Sequence, residues 1–71
     1  MKYIYIDGIG FVIFSATVSH ETIAGIFDRD VVSAGFVRCH DTSLIGCSGE
    51  SLTLKKKSGM FDTEMLRKEL R

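Results

Sequence analysis

The stretch YIYIDGIGFVIF, residues 3–14, decides the fold because it encodes two apolar strands joined by a turn. Asp7-Gly8 stands between two runs of β-branched and aromatic residues, and such a dipeptide supplies the positive φ angles that a type I′ hairpin turn needs. The sequence therefore predicts strands over Lys2–Ile6 and Ile9–Ser15, joined by a two-residue loop.

This loop length pairs Ile6 with Ile9 and sorts the hairpin side chains onto two faces of a sheet. The first predicted face consists of Ile4, Ile6, Ile9, Phe11 and Ile13. The second predicted face consists of Tyr3, Tyr5, Val12 and Phe14. Both faces are apolar, so each of them needs a cover.

The middle of the chain predicts a short helix and then a second hairpin. Ser19 is a favourable N-cap for a helix over His20–Phe27, and the polar segment Asp28–Asp30 ends that helix. Residues 31–40, VVSAGFVRCH, return to strand composition, and Asp41–Ser43 reads as a turn into the strand LIGCS.

The last third predicts a further strand and a second helix. The alternation of apolar residues changes parity within LIGCSGESLTL, which indicates a bulge or turn at Ser48–Glu50 and a short strand over Ser51–Lys55. In FDTEMLRKELR, Asp62 is the predicted cap, and Met65, Leu66 and Leu70 form the apolar stripe.

Together these elements predict an α+β fold, in the order ββαββ(β)α, with a mostly antiparallel sheet of four or five strands and two short helices. The 71 residues are expected to form one small domain, residues 1–71. A domain of this size buries only about 60% of the surface that its unfolded chain exposes.

Charge and hydropathy argue against two classes of partner, nucleic acid and membranes. Nine basic residues balance nine acidic ones, so the chain has no overall attraction for nucleic acid or for an acidic membrane. No apolar run reaches the roughly 18 residues that a membrane span needs, and we find no secretory signal. We expect a cytoplasmic protein in which Cys39 and Cys47 are thiols.

Candidate chemical sites are few. Cys39, His40 and Cys47, with Asp41 and His20 as further ligand types, are weak candidates for a zinc site because close paired spacings such as C-x2-C are absent. In GCSGES, Glu50 stands where a nucleophile elbow needs glycine, and DGIGFV lacks the third glycine of a dinucleotide fingerprint. We therefore expect no catalytic residues, no metal, no cofactor and no enzymatic activity.

Lys55, Lys56 and Lys57 form the basic cluster of the sequence. Lysines at such a position commonly protect a sheet edge from pairing with another chain. A phosphate contact is the alternative interpretation of the cluster.

Two short helices are expected to cover only one face of the sheet. The other face, with Tyr3, Tyr5, Val12 and Phe14, is then predicted to be an interaction surface. We expect a homodimer, formed by face-to-face packing or by pairing of the first hairpins across a two-fold axis. Two other partners could cover this face. One is a different protein, which would make the chain an adaptor, regulator or inhibitor, and the other is single-stranded nucleic acid stacked on the aromatic face beside Lys55–Lys57. In the remaining alternative, one helix covers each face and no partner is needed.

The segments SAGFVR, residues 33–38, and GESLTL, residues 49–54, resemble short uncharacterised bacterial proteins, some of them carried by prophages. The two segments cover about a sixth of the chain. The resemblance implies a small binding protein rather than an enzyme, and it supplies no active-site residue.

Overall fold

The computed structural model of the chain describes residues 1–27, 29–40 and 43–69, with the backbone alone described at residues 40 and 43–45. Its elements run in the order β1 (Lys2–Ile6), β2 (Gly10–Phe14), α1 (His20–Ala24), β3 (Val31–His40), β4 (Ser43–Ser48), β5 (Glu50–Ser51), β6 (Lys56–Lys57) and α2 (Asp62–Glu69). Four strands form an antiparallel sheet in the spatial order β2-β1-β3-β4, and β5 pairs with β6 in a second, two-stranded sheet. The predicted α+β class with a mostly antiparallel sheet is confirmed.

The first hairpin forms, but the predicted pairing of Ile6 with Ile9 is wrong. Ile6 pairs with Gly10, so Asp7, Gly8 and Ile9 form a three-residue loop, closed by a 3.1 Å bond from the Ile9 N–H to the Ile6 carbonyl. The positive φ angles fall on Gly8, at 78°, and on Gly10, at 112°, while Asp7 avoids them. A type I′ turn would force positive φ on Asp7 as well, whereas glycine adopts it without a Cβ clash.

This shift of one residue moves every β2 side chain to the other face of the sheet relative to β1. One face carries Ile4, Ile6, Val12 and Phe14, and the opposite face carries Tyr3, Tyr5, Phe11 and Ile13. The predicted division of the hairpin side chains is therefore wrong, because it rested on the two-residue loop.

The sheet has a core on each of its faces. On one face, the fully buried Ile4, Ile6 and Ala34 pack against Ile23 and Ala24 of α1. On the other face, the buried Tyr3 and Val37 pack against Leu66 of α2. One helix thus covers each face, which confirms the last of the alternatives and not the predicted cover of a single face.

Helix α1 begins as predicted but ends early. The Ser19 hydroxyl accepts a hydrogen bond from the Thr22 N–H over 3.1 Å, which caps the helix. The helix ends at Ala24 rather than at Phe27, because Gly25 is its C-cap. Asp28, in the predicted polar loop, lies outside the described residues.

The segment after β4 contains a hairpin instead of the predicted strand over Ser51–Lys55. Gly49, at φ 81°, separates β4 from β5, as the change of apolar parity predicted. Residues 52–55 then form a turn, in which Lys55 takes a φ of 56°, and β6 follows it. The predicted turn over Asp41–Ser43 includes residues 41 and 42, which lie outside the described part of the chain.

Helix α2 starts at Asp62, and its Leu66 is buried as the stripe predicted, whereas Leu70 and Arg71 lie outside the described residues. Neither described helix is long and apolar enough to cross a membrane.

Candidate functional site

A groove of about 490 Å³ opens between β6, the loop that follows it and the start of α2. We call it the basic groove, because Lys55, Lys56 and Lys57 form one of its walls. Its apolar lining includes three exposed side chains and two half-buried ones: Val32, Met60, Phe61, Tyr5 and Met65.

Local backbone geometry places the three lysines at this groove. The Ser51 hydroxyl accepts a 3.3 Å hydrogen bond from the Leu54 N–H and so holds the turn before β6. The Ser58 N–H then donates to the Gly49 carbonyl over 3.0 Å, which ties the end of β6 to the start of β5. The lysines therefore belong to a short hairpin that hydrogen bonds close at its turn and at its open end.

Beside the lysines, a buried carboxylate joins α2 to the sheet. Asp62 is 2% exposed, and its Oδ2 atom accepts hydrogen bonds from the Tyr3 hydroxyl at 2.5 Å, the Ser33 hydroxyl at 2.7 Å and the Gly59 N–H at 2.8 Å. Buried charge is tolerated when hydrogen bonds satisfy it, as they do here. Asp62 therefore holds α2 against the sheet, and its Oδ2 atom is already bonded to three donors.

The Asp62 carboxylate contributes to the raised pKa values of two neighbouring groups, Tyr3 and Cys47. Burial raises the pKa of the Tyr3 hydroxyl well above its usual value of 10.0, and its hydrogen bond to Asp62 raises it further. Burial also raises the pKa of the Cys47 thiol from 9.0, with the charge of Asp62 as a second cause. Both groups are therefore held in their neutral forms, which suits a structural role better than a reactive one.

The Ser58 hydroxyl is buried without a hydrogen-bond partner among the described residues. It lies close enough to Tyr3 to lower that hydroxyl's pKa slightly, against the larger opposing effects, yet no bond of ordinary geometry joins the two. Gly35 leaves the space for it, since a Cβ on Gly35 would lie 2.5 Å from the Ser58 oxygen.

A second cavity, of about 420 Å³, contains His20 among its lining residues. The Nε2 atom of His20 lies 2.8 Å from the Gly35 carbonyl, and because a carbonyl only accepts, Nε2 carries the proton. The rings of Phe14 and Phe36 pack edge-on against the imidazole, each at 5.6 Å between centroids. His20 is therefore a fixed core residue, and no hydrogen bond links it to Ser48 or to any other described hydroxyl.

The structure does not bring the predicted interface residues together. Tyr3 and Tyr5 lie on the α2 face, and Tyr3 is 0% exposed. Val12 and Phe14 lie on the α1 face, where both are half-buried. The predicted shared face of Tyr3, Tyr5, Val12 and Phe14 is therefore wrong, because the register shift divides it.

The two cysteines among the weak metal candidates are not direct partners in the sheet. In the β3–β4 ladder, Cys47 pairs with Val37 and Cys39 pairs with Leu44, so the two cysteines do not face each other directly, and both are free thiols. Within the described residues, no three His, Cys, Asp or Glu side chains are grouped as metal ligands. Asp41 and the side chain of His40 lie outside that description.

Sequence reasoning found the three lysines but missed the groove beside them and the network around Asp62. The prediction that Asp62 caps α2 is wrong: Asp62 is the first residue of the helix, and its carboxylate accepts from the Gly59 N–H, three residues before it, instead of from an N–H of the first turn. Its contacts with Tyr3 and Ser33, however, join residues 59 and 29 positions apart, and no local pattern reports such pairs. The groove depends equally on how α2 docks.

Comparisons of the chain with protein-family models, with curated proteins and with solved structures gave no match.

Proposed function

We propose that this chain is a small, non-enzymatic protein-interaction module that self-associates by pairing the β2 strands of two copies. The observation that carries the proposal is the position of β2, Gly10–Phe14, at one edge of the four-stranded sheet. An edge strand presents unpaired N–H and C=O groups, and proteins usually protect such edges with charges, proline or a covering element.

Strand β2 lacks most of these protections among the described residues, although the Glu69 carboxylate of α2 lies at its start, 3.3 Å from the position that a Cβ on Gly10 would take. Its sequence, GFVIF, contains neither a charged residue nor proline. Among the described residues, its backbone hydrogen bonds are those of its ladder to β1. Its side chains are half-buried on both faces of the sheet, so a neighbouring strand would complete their cover.

The opposite edge of the sheet differs from β2 in this respect. At β4, the Cys47 N–H donates to the Thr63 hydroxyl of α2 over 2.9 Å, and a register shift interrupts the ladder between Arg38 and Cys39. A bulge and a covering helix are two common ways of blocking an edge. The two edges thus favour β2 as the pairing site.

Antiparallel pairing of two β2 strands across a two-fold axis through Val12 would place Phe11 of one copy opposite Ile13 of the other. Such aromatic and β-branched pairs stabilise antiparallel ladders by roughly 0.2–1 kcal/mol each. A five-residue ladder buries less area than a standard interface, so we expect weak association, with a Kd on the order of 10–100 μM.

Sedimentation equilibrium of the wild type and of Val12→Lys, between about 10 μM and 1 mM, tests the proposal. The wild type should dimerise with rising concentration, and the charge at the centre of the edge should weaken dimerisation at least tenfold. Ile9→Lys is the matched control, because Ile9 is exposed in the hairpin loop and outside β2. Circular dichroism verifies that both variants are folded.

A wild type that is monomeric at 1 mM, or equal weakening by the two lysine variants, would contradict the proposal. As part of it, we place the protein in the cytoplasm, where Cys39 and Cys47 stay reduced. Binding of single-stranded nucleic acid stays a prediction, now confined to Tyr5 and the three lysines, which share the basic groove.

A further inference from the structure

We propose that the basic groove binds an acidic peptide segment of another protein, with an apolar side chain of that segment seated among Met60, Phe61 and Val32. The groove is separate from the proposed dimer edge, since no residue of β2 lines it. The two proposals can therefore fail independently.

The charge of the groove favours an acidic ligand. Lys55, Lys56 and Lys57 are all exposed, and none of them forms an ion pair with a described residue. Asp62, the acidic residue in the lining, is buried and turned towards its three donors. The residues that line the groove thus have an excess of positive charge in a chain whose net charge is zero, although Glu50, outside the lining, lies opposite Lys57 in the β5–β6 ladder.

The apolar part of the groove favours a ligand with an apolar side chain. Met60 is 89% exposed, Phe61 is 62% exposed and Val32 is 55% exposed, and all three line the same cavity. Large apolar side chains that are exposed together commonly mark an interaction site. Methionine adapts its shape to different partners, and a volume of about 490 Å³ lies within the range of ligand sites.

The composition of the lining favours a peptide over single-stranded nucleic acid. A base-stacking site needs exposed aromatic faces beside a basic track that follows the backbone. Phe61 supplies one exposed ring, but the Tyr5 ring is half-buried and packs against Phe11 with 4.6 Å between centroids. Three lysines on a neutral chain suit a short acidic segment better than an extended polyanion.

Fluorescence anisotropy with the labelled peptide Gly-Glu-Glu-Leu-Phe-Glu-Glu-Gly tests this proposal. The same peptide with glycine in place of Leu-Phe removes the apolar anchor, and a ten-nucleotide oligo(dT) tests the nucleic-acid alternative. We expect the first probe to bind, and to bind about tenfold more tightly than either of the others at the same salt concentration.

Matched variants locate the site. Met60→Ser should weaken binding of the peptide about tenfold, whereas Ile26→Ser, at another largely exposed apolar residue outside the groove, should leave it unchanged. The double change Lys56→Gln and Lys57→Gln should weaken binding and reduce its dependence on salt, while Lys68→Gln should do neither. Lys55 is left in place because of its left-handed backbone.

Amide chemical shifts in a titration of isotope-labelled protein give an independent readout. The proposal predicts shifts for residues 55–61. It is overturned if the peptide does not bind, if it binds with no effect of the groove variants, or if oligo(dT) binds more tightly through the same residues, which would assign the groove to nucleic acid.

Discussion

Replacing Asp62 by alanine should strongly destabilise the protein, because this carboxylate joins α2 to the sheet. The change leaves the buried hydroxyls of Tyr3 and Ser33 without their acceptor, and each unsatisfied buried group costs about 1–3 kcal/mol. The Gly59 N–H also loses its acceptor, but Gly59 is exposed and can bond to water. We expect a loss of about 3–5 kcal/mol.

That loss is a large part of the total stability. A domain of 71 residues is typically stable by about 4–10 kcal/mol. With a urea dependence of about 1 kcal/mol/M for a small protein, the midpoint of unfolding should fall by about 3 M or more. Urea titration followed by circular dichroism measures this shift. Asp62→Asn keeps an acceptor but removes its charge, so it should cost about 1–2 kcal/mol.

Two further variants make the reasoning refutable. Glu64→Ala, at an exposed position in the first turn of the same helix, should change stability by less than about 0.5 kcal/mol. Adding Tyr3→Phe and Ser33→Ala to the Asp62→Ala chain removes the unsatisfied hydroxyls, so it should restore about 1–3 kcal/mol. An Asp62→Ala variant as stable as Glu64→Ala would refute the claim that the carboxylate anchors α2.

Three other results follow from the structure. Because folding raises the pKa of Tyr3, the unfolded chain loses that proton first as the pH rises. The free energy of unfolding should therefore fall above pH 10, by up to about 1.4 kcal/mol per pH unit. Urea titrations at several pH values should find a smaller slope in Tyr3→Phe. Gly35→Ala should destabilise the protein by more than about 2 kcal/mol, since its Cβ would lie 2.5 Å from a main-chain oxygen. Gly25→Ala, at a helical φ of −66°, should instead stabilise the protein by roughly 0.5 kcal/mol. Thermal unfolding of the two variants measures both changes. Iodoacetamide should alkylate the exposed Cys39 well before the half-buried Cys47, whose thiol has a raised pKa; mass spectrometry against time reads the order, and equal rates would contradict it.

The fold class could be predicted because its signals are local. Ser19 caps α1, Gly49 separates β4 from β5, and the strand compositions of residues 2–6 and 31–40 all report on nearby backbone. Each of these features needs only a few neighbouring residues, and each is present in the structure.

The sorting of the hairpin faces could not be predicted from the same kind of signal. It depends on whether Asp7 accepts a positive φ, and the chain instead uses Gly8 and Gly10. One residue of register then decides whether Val12 shares a face with Tyr3 or with Ile4.

The candidate sites could be predicted only in part from the sequence, because they too depend on long-range contacts. The three lysines are adjacent in the chain, so their cluster is visible without a structure. Val32 and Met60, in contrast, reach the same groove only after α2 has docked through Asp62. Similarly, the edge position of β2 follows from β1 pairing with β3, which is a long-range choice.

The most direct test of self-association is an isotope-filtered NOE spectrum of labelled and unlabelled protein mixed in equal amounts at about 1 mM, above the expected Kd. Edge pairing across a two-fold axis through Val12 predicts intermolecular NOEs between Phe11 of one copy and Ile13 of the other. An absence of intermolecular NOEs from β2 at that concentration, or NOEs from another surface only, would contradict the account.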